Sequence, residues 1–453
     1  MIASRVCCWT AACVVFWGGP GSCGATEVPR YAPKPGQVLT YAETQTFTES
    51  GEKSGYRTTW RIWVVGRNED GSFRMVVRES IGRLDEKRGA AIDVGPATLA
   101  RIDLYPDGTV PRTPLVGTRF DASHLFPRLP GSEKEAVAGW QAHDERDDTT
   151  TQYAPASATV NAEGPTVDFV ADQSTFREKI YEGKDRRTFH FDRAKGLVVR
   201  AEIETAFGSH LNNTSTGMLE LKSIEELEPS KLATFRDDMN RALETIADYR
   251  KVYRSVATSG ALADALLSKG KEMLADVRTK VTVSEAIAAI DDQLSNHAHF
   301  AKSAALEAKR LDELIGHSAA PWEVKDLDGK THTLEQYRGK VLVLDFWYRG
   351  CGWCMRAMPQ VKAVAKHYRD RPVAVFAMNN DRKEEDARFV ALKMALEYPV
   401  LRSDELPAKY AVTGFPTLVV IDQQGKIADV HIGYSDHLFE DVTATVDRLL
   451  EAR

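Results

Sequence analysis

The tightest constraint on this chain is one stretch, Asp345-Phe-Trp-Tyr-Arg-Gly-Cys-Gly-Trp-Cys354. The apolar run Val341-Leu-Val-Leu344 leads into it, and a helix is expected to lead out, from Met355 to Tyr368. Cys351 and Cys354 therefore stand where a buried strand hands over to a helix. The free N–H groups and positive dipole end of that helix favour a thiolate, so Cys351 should ionise more readily than an ordinary cysteine. Two intervening residues let the second sulfur reach the first within one helical turn.

The rest of the cysteine inventory depends on the N-terminus. Arg5 supplies a positive n-region, Val6 to Trp17 an apolar core, and Pro20-Gly-Ser-Cys-Gly-Ala25 a small, turn-forming cleavage region. This reads as an export signal over residues 1–25, cleaved after Ala25 with Cys23 at the −3 position. The alternatives are a lipoprotein lipidated on Cys23, although Pro20-Gly21-Ser22 lacks the usual aliphatic residue, and an uncleaved membrane tether. Of six cysteines, Cys7, Cys8, Cys13 and Cys23 fall in this segment, and the mature chain keeps Cys351 and Cys354. An exported protein with one close pair has no disulfide framework. The pair is a local staple or a working redox centre. The expected location is the periplasm or cell envelope.

At 453 residues the chain should form two or three domains, and 43% hydrophobic with 27% charged residues is the balance of a soluble globular protein. A formal net charge of −6 gives nucleic acid no electrostatic reason to bind, and beyond the N-terminus no apolar run is long enough for a membrane helix. Residues 30–228 are β-rich. Tyr56, Thr58, Trp60, Ile62 and Val64 alternate with Arg57 to Val65, the turn Asn68-Glu-Asp-Gly71 follows, and Phe73 to Val77 returns. Ile102 to Tyr105, Val167 to Val170, the hairpin Phe189 to Ile203 and Met218 to Leu221 continue the series. Consecutive hairpins predict an antiparallel meander, whether curved sheet, half-barrel or sandwich. Its aromatic residues are expected to fill the sheet's own core rather than line a ligand cavity. Arg186-Arg187 and the acidic run Asp144 to Asp148 read as solvated loop charges.

Residues 229–315 shift to Ala, Leu, Glu and Lys. Leu232, Phe235, Met239, Ala242, Ile246, Tyr249, Tyr253 and Val256 form one apolar seam at helical spacing. A break at Ala257-Thr-Ser-Gly260, a second helix over Leu262 to Val277 and a third opening at the capping-box pattern Thr282-Val-Ser-Glu285 complete a helical linker or bundle. The seam suits intramolecular packing, with a dimerising coiled coil as the alternative. His297 and His299 lie two apart on a helix and point different ways, so no metal pair is expected.

From Gly316 strands alternate with helices and end in a hairpin and a helix, which predicts a mixed sheet with helices on both faces. Here Lys325-Asp-Leu-Asp-Gly-Lys330, Arg338-Gly-Lys340, Phe346-Trp347 before Cys351-Gly-Trp-Cys354, Pro359 and Phe415-Pro416-Thr417 occur in order. Residues 316–453 thereby resemble an exported thiol-disulfide oxidoreductase of the TlpA/ResA-like, thioredoxin-fold type. Gly350 replaces the tryptophan that often precedes the first cysteine, and Gly352-Trp353 replaces thioredoxin's Gly-Pro. The expected whole is multidomain: an N-terminal antiparallel β-rich domain, a central helical segment and a C-terminal α/β thioredoxin fold.

The resemblance implies a function and a site. Cys351 is expected to be the exposed nucleophile that attacks a protein disulfide, and Cys354 the more buried thiol that resolves the mixed disulfide. Asp345, at the position of thioredoxin's buried acid, is the candidate base for Cys354, with a desolvated carboxyl; the plainer reading is a strand-end aspartate. Pro416 is expected in cis against the cysteines, Phe415 to offer backbone groups to a substrate strand, and Trp353 to sit at the rim, with Trp347 in the core. No cofactor beyond the redox-active Cys351–Cys354 disulfide is implied. The direction is reductive, fed by a membrane thiol donor. Zinc needs more ligands than two cysteines, covalent haem needs His where Met355 stands, and a peroxiredoxin needs Thr where Tyr348 stands. The remaining alternative is an exported ligand- or protein-binding protein with a non-catalytic thioredoxin-like domain.

Overall fold

The computed structural model describes residues 28–451 apart from 50, 86–89, 94–96, 112–124, 145–148, 157–165, 175–183, 208–212, 257–262 and 436. The export signal with Cys23, the acidic run and the Ala257 to Gly260 break lie outside the described residues, wholly or nearly so.

Eleven strands form the first sheet: β1 (Gln37–Glu49), β2 (Glu52–Arg67), β3 (Phe73–Asp85), β4 (Ala90–Asp93), β5 (Thr98–Leu104), β6 (Trp140–Asp144), β7 (Thr149–Pro155), β8 (Thr166–Ser174), β9 (Lys184–Asp192), β10 (Leu197–Phe207) and β11 (Asn213–Glu226). A short helix, α1 (Glu133–Ala138), precedes β6. The order is β4-β3-β2-β1-β11-β10-β9-β8-β7-β6, with β5 also on β3. The antiparallel β1–β11 pairing joins two meanders into one sheet. This sheet curls around its own apolar side, where Tyr31, Phe126, Phe169, Phe189 and Phe191 gather with Leu39 and Tyr41. Tyr31 meets Phe126 and Phe191 edge-on at 5.6 and 5.4 Å, the geometry that ring quadrupoles favour. At the turn after β5, Gly108 has φ +86°, and a Cβ there would lie 2.3 Å from the Pro127 carbonyl oxygen. Only glycine lets the 125–129 segment close over the core there.

The expectation for Arg186-Arg187 is half wrong. Both lie on strand β9, not in a loop. Arg186 is exposed and paired with Asp172, but Arg187 points into the curled sheet and is buried, held by Asp185 at 3.0 and 2.9 Å. A two-oxygen, two-nitrogen pairing is what makes a buried guanidinium tolerable.

Three helices follow, α2 (Pro229–Val256), α3 (Ala263–Arg278) and α4 (Ser284–Asp312). The seam of α2 packs on the outer face of the sheet: Phe235 stacks on Trp63 at 4.8 Å, and Met239, Ala242 and Ile246 join Val38, Val65 and Val76. Strand β2 is thus buried on both faces, Trp60, Ile62 and Val64 inward and Trp63 and Val65 under the helices. The capping box expected at Thr282 does not form. No side chain of that motif caps α4. Asp238 of α2 instead accepts from the Thr282 and Val283 N–H groups at 2.6 and 3.0 Å.

The C-terminal unit opens with the hairpin β12 (Glu323–Lys325) and β13 (Thr331–Thr333). The elements β14 (Val341–Trp347), α5 (Gly352–His367), β15 (Val373–Asn379), α6 (Glu384–Lys393), β16 (Val400–Arg402), α7 (Leu406–Lys409), β17 (Thr417–Ile421), β18 (Ile427–Ile432) and α8 (Leu438–Glu451) follow. The sheet order is β16-β15-β14-β17-β18, with β14, β15 and β16 parallel and the last two strands antiparallel. This is a thioredoxin fold. Central β14 is buried along its whole length. Val341, Val343 and Trp347 face α5, α6 and α8, whereas Leu342, Leu344 and Phe346 face the opposite core. Leu311, at the end of α4, belongs to that second core.

Candidate active site

The site grows from the carboxyl end of β14. Cys351 is the N-cap of α5, and its sulfur accepts from the Cys354 N–H at 3.0 Å. The two sulfurs are bonded, with Cα atoms 5.2 Å apart. The turn between strand and helix is fastened on both sides. The Cys351 N–H donates to the Tyr348 carbonyl at 3.1 Å, and the Asn380 N–H to the Trp347 carbonyl at 2.8 Å. The Arg349 N–H donates to Asp381 at 2.9 Å, while its guanidinium binds Asp386 at 2.7 Å and lies 4.3 Å from the Phe389 ring centre.

Cys351 was expected to be exposed, and it is not: it keeps 6% of its surface against 1% for Cys354. A sulfur engaged by a disulfide and by a backbone N–H has little surface left. The order of access between the two cysteines is the expected one.

Asp345 lies on β14 at a position whose parity matches Val341, Val343 and Trp347, and so faces the side that carries α5. Its register partners are Ala377 on β15 and Leu418 on β17, both apolar. It is no surface aspartate. Burial pushes its carboxyl up from 3.8 to about 7, and among the described residues its Oδ1 has no hydrogen-bond partner.

The loop before β17 lies beside this strand end. The Phe415–Pro416 bond is cis, and Pro416 is buried. Thr417, the next residue, pairs with Phe346, which places the proline level with the end of β14. The Phe415 ring meets Tyr348 edge-on at 5.3 Å, so this loop touches the turn that carries Cys351. Trp353 is 50% exposed, lies 5.7 Å from the ring of Tyr434 and takes the Arg356 guanidinium over its face at 5.2 Å. Trp347 is fully buried.

Comparison with known proteins bears on this constellation. The Redoxin family model matches residues 315–447. The thioredoxin-like protein YneN of Bacillus subtilis is 32% identical over 122 residues, covering 26% of this chain and 71% of its own length. The thiol-disulfide oxidoreductase ResA of Geobacillus thermodenitrificans is 31% identical over 121 residues, 26% of this chain and 70% of its own. This chain belongs to the ResA-like thiol-disulfide oxidoreductases. Among solved structures, the thioredoxin domain of a thiol-disulfide oxidoreductase from Bacteroides vulgatus aligns over 29% of this chain and 97% of its own, at 26% identity and a TM-score of 0.27.

In this ResA-like unit Cys351 and Cys354 are bonded, Asp345 lies on the strand that leads to them, Phe415 packs against the cluster that holds them, Pro416 stands just before the neighbouring strand, and Trp353 is exposed between the two cysteines. Sequence reasoning missed Tyr348 and Tyr434 at the rim and Tyr398 in the core beneath. The rim tyrosines had a signal, since each flanks a motif or a strand end. Tyr398 had none beyond standing before Pro399. Among the described residues no cluster of three or more His, Cys, Asp or Glu is arranged to hold a metal ion.

Proposed function

We propose that this ResA-like enzyme is an exported reductase of protein disulfides that works through the Cys351–Cys354 dithiol. One observation carries the reading: a buried carboxyl, Asp345, lies under the helix headed by that pair, with an oxygen unpartnered among the described residues and a proton affinity near neutral. A base is useful where its proton affinity lies close to the working pH.

In the reduced enzyme the Cys351 thiolate attacks a substrate disulfide, one substrate sulfur leaves, and a mixed disulfide forms. Ionised Asp345 takes the proton of Cys354. The new thiolate attacks Cys351, the enzyme disulfide closes, and the second substrate sulfur departs as a thiolate that solvent protonates. Two electrons pass from dithiol to substrate. Pro416 walls the pair, Phe415 offers backbone groups to an extended substrate, and Trp353 contacts it at the rim. A membrane thiol donor returns the electrons. Arg5 and the apolar run Val6 to Trp17 support export. Residues 30–228, 229–315 and 316–453 are read as a β-domain, a helical connector and the redox domain.

Cys351→Ser should abolish insulin reduction, and Cys354→Ala should retain its partner as a mixed disulfide identifiable by mass spectrometry. Equilibration with glutathione should give a potential nearer thioredoxin's, roughly −270 mV, than the roughly −120 mV of a strong oxidant. A pair that dithiothreitol cannot cycle would instead identify the disulfide as a staple in a binding protein.

A further inference from the structure

The apolar cluster beneath the dithiol contains a second polar group that the mechanism above does not use. Tyr398 stands just before β16 and is buried in the same cluster as Cys354, Met355 and Trp347. Among the described residues its hydroxyl has no hydrogen-bond partner. The backbone links it to Asp345 in two steps. Ala377 pairs with Asp345 on one side and with Val400 on the other, and the Ala377 N–H donates to the Pro399 carbonyl at 3.0 Å. The one side chain at that register between the two is a methyl group, small enough for a phenol to pass.

The inventory of orphans is complementary. On this side of the sheet, Asp345 Oδ1 is an acceptor without a donor, the Tyr398 O–H and the Trp347 Nε1–H are donors without acceptors, and His431 Nε2 on β18 also lacks a hydrogen-bond partner, lying 3.5 Å from Asp429. Buried polar groups are rarely left so, and each unmade bond is costly. Trp347 is fully buried on a central strand, whereas Tyr398 keeps 8% of its surface and stands outside any strand, which leaves its ring the freer to shift. We propose that Tyr398 is the positioning residue of Asp345, its ring shifting to bring the hydroxyl within donating reach of the carboxylate when Asp345 is ionised and ready to take the Cys354 proton. This rests on the reading of Asp345 as the base. The field of that carboxylate holds the Tyr398 hydroxyl, already raised by burial, further above its ordinary value.

Few other titratable or charged groups face the pair. Helix α5 contributes Cys351 and Cys354. Its C-cap, Tyr368, sends its hydroxyl to the Thr443 carbonyl and Asp447. Lys362 donates to the Met394 carbonyl, and Glu397 turns outward to Arg369. On β18, His431 and Asp429 face the same side of the sheet 3.5 Å apart, Thr445 of α8 donates to Asp429, and on β15 Asn379 donates to Asp381.

The test uses the full chain as wild type, Tyr398→Phe, Asp345→Asn and the double variant. Two readouts are followed against pH: the rate of disulfide reduction and the 13C NMR titration of the Asp345 carboxyl. Loss of one donor to a charged group should move the Asp345 titration, and the rising limb of the rate profile, up by about one pH unit, a roughly tenfold slower rate on the acid side. Adding Tyr398→Phe to Asp345→Asn should change the profile no further. An Asp345 carboxyl that titrates at the same pH in Tyr398→Phe and wild type overturns the proposal. If Asp345→Asn keeps the wild-type rate profile, the base reading falls instead, and the NMR titration still decides the pairing.

Discussion

Asp345 occupies a place that hydrocarbon would fill, and its stability cost has a definite sign. Its folded value, about 7, lies above the ordinary 3.8. The folded state therefore holds a proton that the unfolded chain releases between those values. The resulting stabilisation is complete below pH 3.8 and is lost as pH rises through 7. Asp345→Asn should accordingly be more stable than wild type at pH 8, by up to roughly 4 kcal/mol, and show no such gain below about pH 4. Urea unfolding at the two pH values checks this, and an equal difference at both would contradict the burial of the charge. At this scale the sequence was readable wherever spacing carried the information. Asp345 lies six residues before Cys351, and Phe415-Pro416-Thr417 announces itself. Tyr398 was unreadable because its role depends on Ala377 being small between two strands, which no local pattern records.

Elements were legible where one face is apolar and the other polar, and obscure where burial breaks that rule. Strand β1 is hard to read because its inward positions run Leu39, Tyr41, Glu43, so a buried carboxylate interrupts the alternation. Strand β2 looked more regular than it is, since Trp63 and Val65 belong to a second core under the helices. The start of α4 is a third case. Its sequence offers a local cap, but the partner comes from Asp238, more than forty residues earlier. Removing that carboxylate in Asp238→Ala should cost about 1–2 kcal/mol, whereas Ser284→Ala should be nearly neutral. Thermal unfolding of the two variants separates the long-range cap from the local one.

Across the whole molecule, helix packing decides the role of the central segment. The seam of α2, which could have served a coiled coil, is taken up by the sheet at one end and by α3 and α4 at the other. At the other end, Leu311 of α4 enters the core of the ResA-like unit with Trp322, Leu344 and Phe376. The chain then stays attached, the Gly316 N–H donating to the Ile427 carbonyl at 2.8 Å. Leu311→Ala should therefore destabilise the redox unit by about 2–4 kcal/mol, although it lies outside that unit's first strand. A melting transition of the C-terminal unit unchanged by the substitution would show that the helix end contributes nothing there. Helix α4 has 29 residues, about 40 Å of rod at the usual rise, and it is seated at both ends. The curled sheet and the redox core are thus joined by a folded rod rather than by a loose tether.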